Sequence, residues 1–178
     1  MHAKLGFTAA MFGIGLLAAP AIAADRDDYK AFHQAKTSLT QAIQAAEKAQ
    51  GGQARAVEAG FEREDGKPQY DIKVMSGDKV MTYYIDAATG QPTKSEEQSG
   101  LADFLGVDKV DPAKLTGTQT TLAQAIGVAE QNANGKAIEA EVDEDDGDIY
   151  YDVTVLVGDD TEEVEVDGAS GQVIKAER

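Results

Sequence analysis

The alternation of apolar and polar positions along this chain occurs twice. Leu39, Ala42, Ile43 and Ala46 fall at i, i+3, i+4 and i+7, which places them on one face of a helix. Leu122, Ala125, Ile126 and Ala129 repeat the spacing. Three runs with a period of two follow each helical stretch. In the first copy they are Val57, Ala59 and Phe61, then Tyr70, Ile72 and Val74, then Met81, Tyr83 and Ile85. In the second they are Ile138, Ala140 and Val142, then Tyr151, Val153 and Val155, then Val164 and Val166. Alternation of this kind predicts strands with one buried face, and the helix supplies the cover.

The copies also align residue by residue. SLTQAIQAAE at 38–47 answers TLAQAIGVAE at 121–130, an offset of 83. DGKPQYDIKV at 65–74 answers DGDIYYDVTV at 146–155, and IDAATGQ at 85–91 answers VDGASGQ at 166–172, both offset by 81. Two extra residues therefore sit in the first copy between helix and first strand, around Gly51 to Arg55, and a loop tolerates such a change.

Punctuation supports the same reading. Ser38 with Gln41, and Thr121 with Gln124, form capping-box pairs, and Gly52 and Gly135 are expected to end the helices. Asp65-Gly66 and Asp146-Gly147 mark tight turns, as do the segments 76–78 and 158–160. Connections this short make antiparallel hairpins, because a parallel crossover needs a dozen or more residues. Asp86 to Gly90 and Asp167 to Gly171 reverse the chain once more, ahead of short fourth strands at Thr93 and at Val173-Ile174. Pro92 lacks an N–H and belongs on an edge there.

The predicted fold class is α+β, a tandem repeat of a helix packed on a three- to four-stranded antiparallel meander sheet. The expected segments are a leader at 1–23, an N-terminal helical segment at 24–37, repeat one at 38–94, a linker at 95–120 and repeat two at 121–178. Within the linker, Leu101, Phe104 and Leu105 could form an apolar turn that docks on a repeat. A module this small is marginal alone, so the two are expected to share a packed interface.

The leader reading rests on Lys4, the apolar run Leu5 to Ala19, Pro20 and the small-x-small pattern Ala21-Ile22-Ala23. The run is shorter than the ~20 residues of a membrane span, and Asp25, Asp27 and Asp28 follow it. A cleaved export signal is expected, which places the protein in the periplasm or outside the cell; an uncleaved anchor is the alternative. No second apolar segment predicts stable membrane insertion.

The helix pattern LxxAIxxA, the DGxxYD(I/V) hairpin and the closing Asp-x-x-Thr/Ser-Gly turn together resemble the PepSY domain, over both repeats and about two thirds of the chain. The resemblance implies a bacterial, exported or membrane-attached protein related to the propeptides of thermolysin-like metallopeptidases. It implies a role in inhibiting or regulating proteases, with no catalytic residues to carry over. No protease domain follows and His-Glu-x-x-His is absent, so such a role would act on a separate protein.

Composition narrows the chemistry. The net charge is −16, and removing the leader takes Lys4 and no acid with it. A chain this acidic repels nucleic acid and anionic lipid; basic protein surfaces and cations are its natural partners. There is no cysteine, and after cleavage His33 is the one histidine, so a His/Cys zinc set is excluded by count and a nucleophilic triad would hang on His33 alone. A non-enzymatic protein with no cofactor is expected, binding a protease or another envelope protein. The alternative is an acidic, calcium-buffering envelope protein. Its weak candidates are Asp145, Asp146 and Asp148, in a run where Gly147 comes one place too early for an EF-hand and the twelfth position holds no Glu.

The acid is unevenly spread. Residues 38–94 carry 7 Lys/Arg against 8 Asp/Glu, and residues 121–178 carry 3 against 16. Strand parity puts Glu139, Glu141, Asp143, Asp152, Glu163 and Glu165 opposite the apolar face, with Tyr84 and Tyr150 also outward, and these eight are the candidate partner or cation contacts. Two readings stand, a solubilising face and an electrostatic landing surface. Like charges on neighbouring strands oppose pairing, most strongly when unscreened. Replacing Glu139, Glu141, Glu163 and Glu165 by Gln is therefore expected to raise thermal stability at low ionic strength, by an amount that shrinks as salt is added. A variant less stable at low salt would mean that these carboxylates are held by partners.

Overall fold

The computed structural model describes residues 26–51, 53–77, 79–98 and 110–178. The leader segment and the expected apolar turn at Leu101, Phe104 and Leu105 lie outside the described residues. The elements run α1 (Arg26–Gln34), α2 (Leu39–Gln50), β1 (Arg55–Glu64), β2 (Lys67–Ser76), β3 (Lys79–Asp86), β4 (Pro92–Glu97), α3 (Pro112–Gly117), α4 (Leu122–Ala133), β5 (Lys136–Asp145), β6 (Asp148–Val157), β7 (Asp160–Asp167) and β8 (Val173–Glu177).

The two expected sheets are one. Eight antiparallel strands lie in the order β4-β3-β2-β1-β5-β6-β7-β8, joined at the centre where β1 pairs with β5. That ladder is short: Glu58, Ala59 and Gly60 stand opposite Glu141, Ala140 and Glu139. Each repeat thus lends its first strand to the other, which removes two open edges that would otherwise invite aggregation. Both long helices cover one face of the sheet. They touch each other, and each reaches the other repeat's first strand.

The helices begin as their capping boxes require. The Ser38 amide donates to Gln41 Oε1 at 2.9 Å while the Gln41 amide donates back to Ser38 Oγ at 3.2 Å. Thr121 and Gln124 repeat this exchange at 2.9 and 3.3 Å. Gly52, expected to stop the first, lies outside the described residues, and the end of the second corrects the expectation that Gly135 stops it. Gly51 caps α2 with φ of 73°, and Asn134 caps α4 in the left-handed region. Gly135 serves packing instead, since a Cβ there would collide with the Leu156 carbonyl on β6.

A bulge breaks the alternation in both first strands. Val57 and Ile138 are skipped in the register, which brings Ala56 opposite Val74 and Ala137 opposite Val155. Ala56 thereby joins Val57 in the core of the first repeat, whereas in the second Ala137 takes the inward position and Ile138 is only partly buried. A helix carboxylate ties each bulge down: the Ala56 amide donates to Glu47 at 2.9 Å and the Ala137 amide to Glu130 at 3.0 Å. Two further residues depart from simple parity. Met75 and Val80 are register partners on the polar-parity side and are nonetheless buried, beside Thr82, whose hydroxyl accepts from Gln98 at 2.8 Å.

Each repeat carries a second, shorter helix at its outer corner. On the first, α1 brings Phe32 against Phe61, with ring centroids 5.2 Å apart, and Arg63 pairs with Asp28 at 3.2 Å. On the second, α3 buries Leu115, and Lys114 pairs with Glu144. Buried tyrosines fix the chain leading into the long helices: Tyr70 donates to the Thr37 carbonyl and Tyr151 to that of Thr120.

Leu39 and Leu122 lie beneath the helices at 1% and 2% exposure. Leu39→Ala and Leu122→Ala are each expected to cost ~2–5 kcal/mol in urea unfolding, as buried leucines do when a cavity is left. A loss under about 1 kcal/mol in both would show these helix faces to be loosely packed.

Candidate functional site

The face of the sheet opposite the long helices collects the polar side chains, and the register arranges them in rows. One row runs Lys73, Glu58, Glu141, Asp152, Glu165 and Lys175 across β2, β1, β5, β6, β7 and β8. The next runs Tyr84, Asp71, Gly60, Glu139, Thr154 and Glu163 across β3 to β7. Five of the acidic candidates, Glu139, Glu141, Asp152, Glu163 and Glu165, thus come together with Glu58 and Asp71, which strand parity places on the same face but in a mixed surface that offered no candidate. Asp143 lies further along β5, opposite Tyr150.

These carboxyls are not all freely solvated. Burial, reinforced by Glu62 and Glu58, pushes Asp71 up to about 7 against the pull of Lys73. Burial, then Glu141, Glu58 and Glu163, pushes Glu139 up to about 7, again opposed by Lys73. Asp152 is pushed to about 6 by burial and by Glu165, Glu141, Asp143 and Glu163. The counterion at the centre is Lys73, whose ammonium lies 2.8 and 2.7 Å from the two oxygens of Glu58. In the second repeat, 81 positions on, Thr154 stands where Lys73 does in the first. The density of acid was legible from strand parity; the desolvation of Asp71 and its crowding by Glu62 and Glu58 were not, because the fold alone chooses those neighbours. A Cβ at Gly60 would sit 3.1 Å from Asp71 Oδ1.

The two outward tyrosines are half-buried rather than free contacts. The Tyr84 hydroxyl donates to Glu96 at 3.1 Å, the Lys94 ammonium lies 5.1 Å from the ring centroid, and burial pushes the phenol up to about 12. Tyr150 stands between Asp143 and Asp167, and partial burial followed by Asp148 raises its pKa. Asp145, Asp146 and Asp148 flank the tight β5–β6 turn, all exposed, with Asp145 opposite Asp148. Among the described residues no three His, Cys, Asp or Glu side chains converge as a metal set. A shallow hollow of about 310 Å3 beside α3 includes Lys114 and Asp167, each already engaged, by Glu144 and by the Ser170 turn.

With this geometry in view, the comparisons are specific. The family described as "Peptidase propeptide and YPEB domain", PepSY, matches residues 36–96 and 121–177. The chain belongs to the PepSY family. The two PepSY segments each contain a long helix and the strands that follow it. No curated protein matches the chain. Among solved structures, the crystal structure of a "putative lipoprotein (CD1622)" from Clostridium difficile 630 is similar at 23% identity, over 80% of this chain and 93% of that one, with a TM-score of 0.46. Among the described residues no helix is long and apolar enough to cross a membrane.

The raised carboxyls fix the sign of a pH dependence. Between about pH 4 and 7 the folded chain holds protons on Asp71, Glu139 and Asp152 that the unfolded chain has lost, so stability falls as pH rises. Asp86 and Asp167 work the other way. Hydrogen bonds from Thr89 and from Ser170 hold them below the ordinary value, so their contribution is lost as pH falls below about 4. The melting temperature at constant ionic strength is expected to peak near pH ~5 and to be lower at pH ~8. Asp71→Asn with Glu139→Gln should remove most of that decline. A melting temperature that climbs steadily to pH ~8 would show these groups to be ionised and stabilising.

Proposed function

We propose that this PepSY protein acts outside the cytoplasm as a non-catalytic binding protein that restrains a separate protease, docking it on the acidic face opposite the long helices. The observation that carries the reading is the fusion of the two repeats, which sets the carboxylates of both first strands side by side on one surface. Family membership supports the link to peptidase propeptides, and the leader pattern supports export. The mechanism is steric occlusion, with the field of the acidic face speeding encounter with a basic rim around a protease cleft. The outer edges offer main-chain pairing as a second handle. β4 begins with Pro92, which cannot donate, whereas β8 presents Ile174 at 51% exposure.

The test is inhibition of purified, exported thermolysin-type metallopeptidases from the same cell, followed by association kinetics at two salt concentrations. Inhibition is expected, with an association rate that falls as salt rises and falls again, by roughly tenfold, in the variant with Glu139, Glu141, Glu163 and Glu165 replaced by Gln. Neither binding nor inhibition across those proteases would end the protease reading. Calorimetric calcium binding tighter than millimolar would favour the calcium-buffering alternative instead.

A further inference from the structure

The joint between the repeats has two unlike sides. On the helix side, Ala59 and Ala140 pair at its centre, both buried, and α2 and α4 pack against each other over them. On the open side, acids gather around a glycine. Gly60 pairs with Asp71 on β2 and with Glu139 on β5. The two carboxyls therefore flank a position with no side chain to separate them, and Asp71 leans into the space that a side chain at Gly60 would fill.

The charges facing them come from every neighbouring strand. β1 contributes Glu58 and Glu62, β2 contributes Lys73, and β3 places Tyr84 beside Asp71. On the other side, β5 contributes Glu141 and β7 contributes Glu163. Asp152 on β6 meets Glu141 and Asp143 of β5 and Glu163 and Glu165 of β7. Lys73, engaged by Glu58, is the base beside the seam, and Lys175 of β8 stands opposite Glu165 at the far end of the row. Ionising every acid here sets like charges across a ladder three residues long, whereas the ladders on either side of it run through most of their strands.

We propose that the β1–β5 seam is a pH-gated clamp: protons taken up by the carboxyls around Gly60 draw the two repeats together, and their loss loosens the seam on its open side. The helix side stays closed in both states, because its apolar contacts do not titrate. The motion is a parting of β1 from β5 along the acidic face, hinged on the α2–α4 contact. Its working range spans neutrality, since Asp71 and Glu139 are pushed up to about 7. The gating does not depend on which partner the face takes.

Amide hydrogen exchange on the full protein at pH ~5.5 and ~8, corrected for intrinsic rates and at fixed salt, tests it. Protection in β1 and β5 around the seam is expected to fall by about tenfold or more at the higher pH, the equivalent of one pKa unit. Amides of β3 and β7 should change far less. In the Asp71→Asn, Glu139→Gln variant, seam protection should be high at both values. Seam amides equally protected at both pH values would overturn the clamp, and so would an equal loss in every strand, which signals global destabilisation alone. A pH dependence at the seam that survives in the double variant would overturn it too.

Discussion

The structure depends on the antiparallel pairing of β1 with β5. A helix on four strands has one face to bury and two edges to manage, and two such units side by side would leave four edges open. Joining the first strands closes two of them and lets α2 and α4 share a single apolar layer. The centre of the joint holds Ala59 opposite Ala140, both buried, and small residues there suit the close approach of two helices above. The same pairing that builds the core also forces the acids of β1 and β5 into contact on the other face. Stability and electrostatic strain thus arise from one register.

Duplication explains the architecture, and divergence between the copies explains the chemistry. Positions related by 81 residues have drifted in charge: Lys73 answers Thr154, Thr82 answers Glu163, Tyr84 answers Glu165 and Arg63 answers Glu144. Each exchange removes a base or adds an acid in the second repeat. Where a change would have broken a structural tie, its partner changed as well. Arg63 pairs with Asp28 of α1, and Glu144 pairs with Lys114 of α3, so both corner helices stay tethered with the charges reversed. On the open face Lys175 of β8 stands opposite Glu165, while Glu163 and the position of Thr154 gain no new base, and the acid accumulates there. Surface carboxylates that cost stability are retained most readily when the surface has work to do, which is the premise of the docking role proposed for this PepSY protein.

The chain by itself determined the local structure. Capping pairs, Asp-Gly turns and the 3.6 and 2.0 periodicities each act over a few residues, so the two helices, the hairpins and the α+β class were legible. The internal repeat carried the family resemblance, because its turn and helix motifs recur at matching offsets. Outward positions such as Glu163 and Glu165 followed from parity alone. Tertiary structure decided the rest. That β1 meets β5, and in which register, depends on two segments some eighty residues apart finding complementary apolar layers, which no local pattern encodes. The bulges at Val57 and Ile138 brought Ala56 and Ala137 into the core and left Ile138 partly exposed, and a helix carboxylate from outside the strand holds each bulge. Asp71 reads as one more surface acid in the sequence; it becomes a proton-holding group because the fold desolvates it and sets Glu62 and Glu58 of β1 beside it. Charge and propensity are properties of residues, whereas burial and repulsion are properties of neighbours, and the fold alone chooses the neighbours.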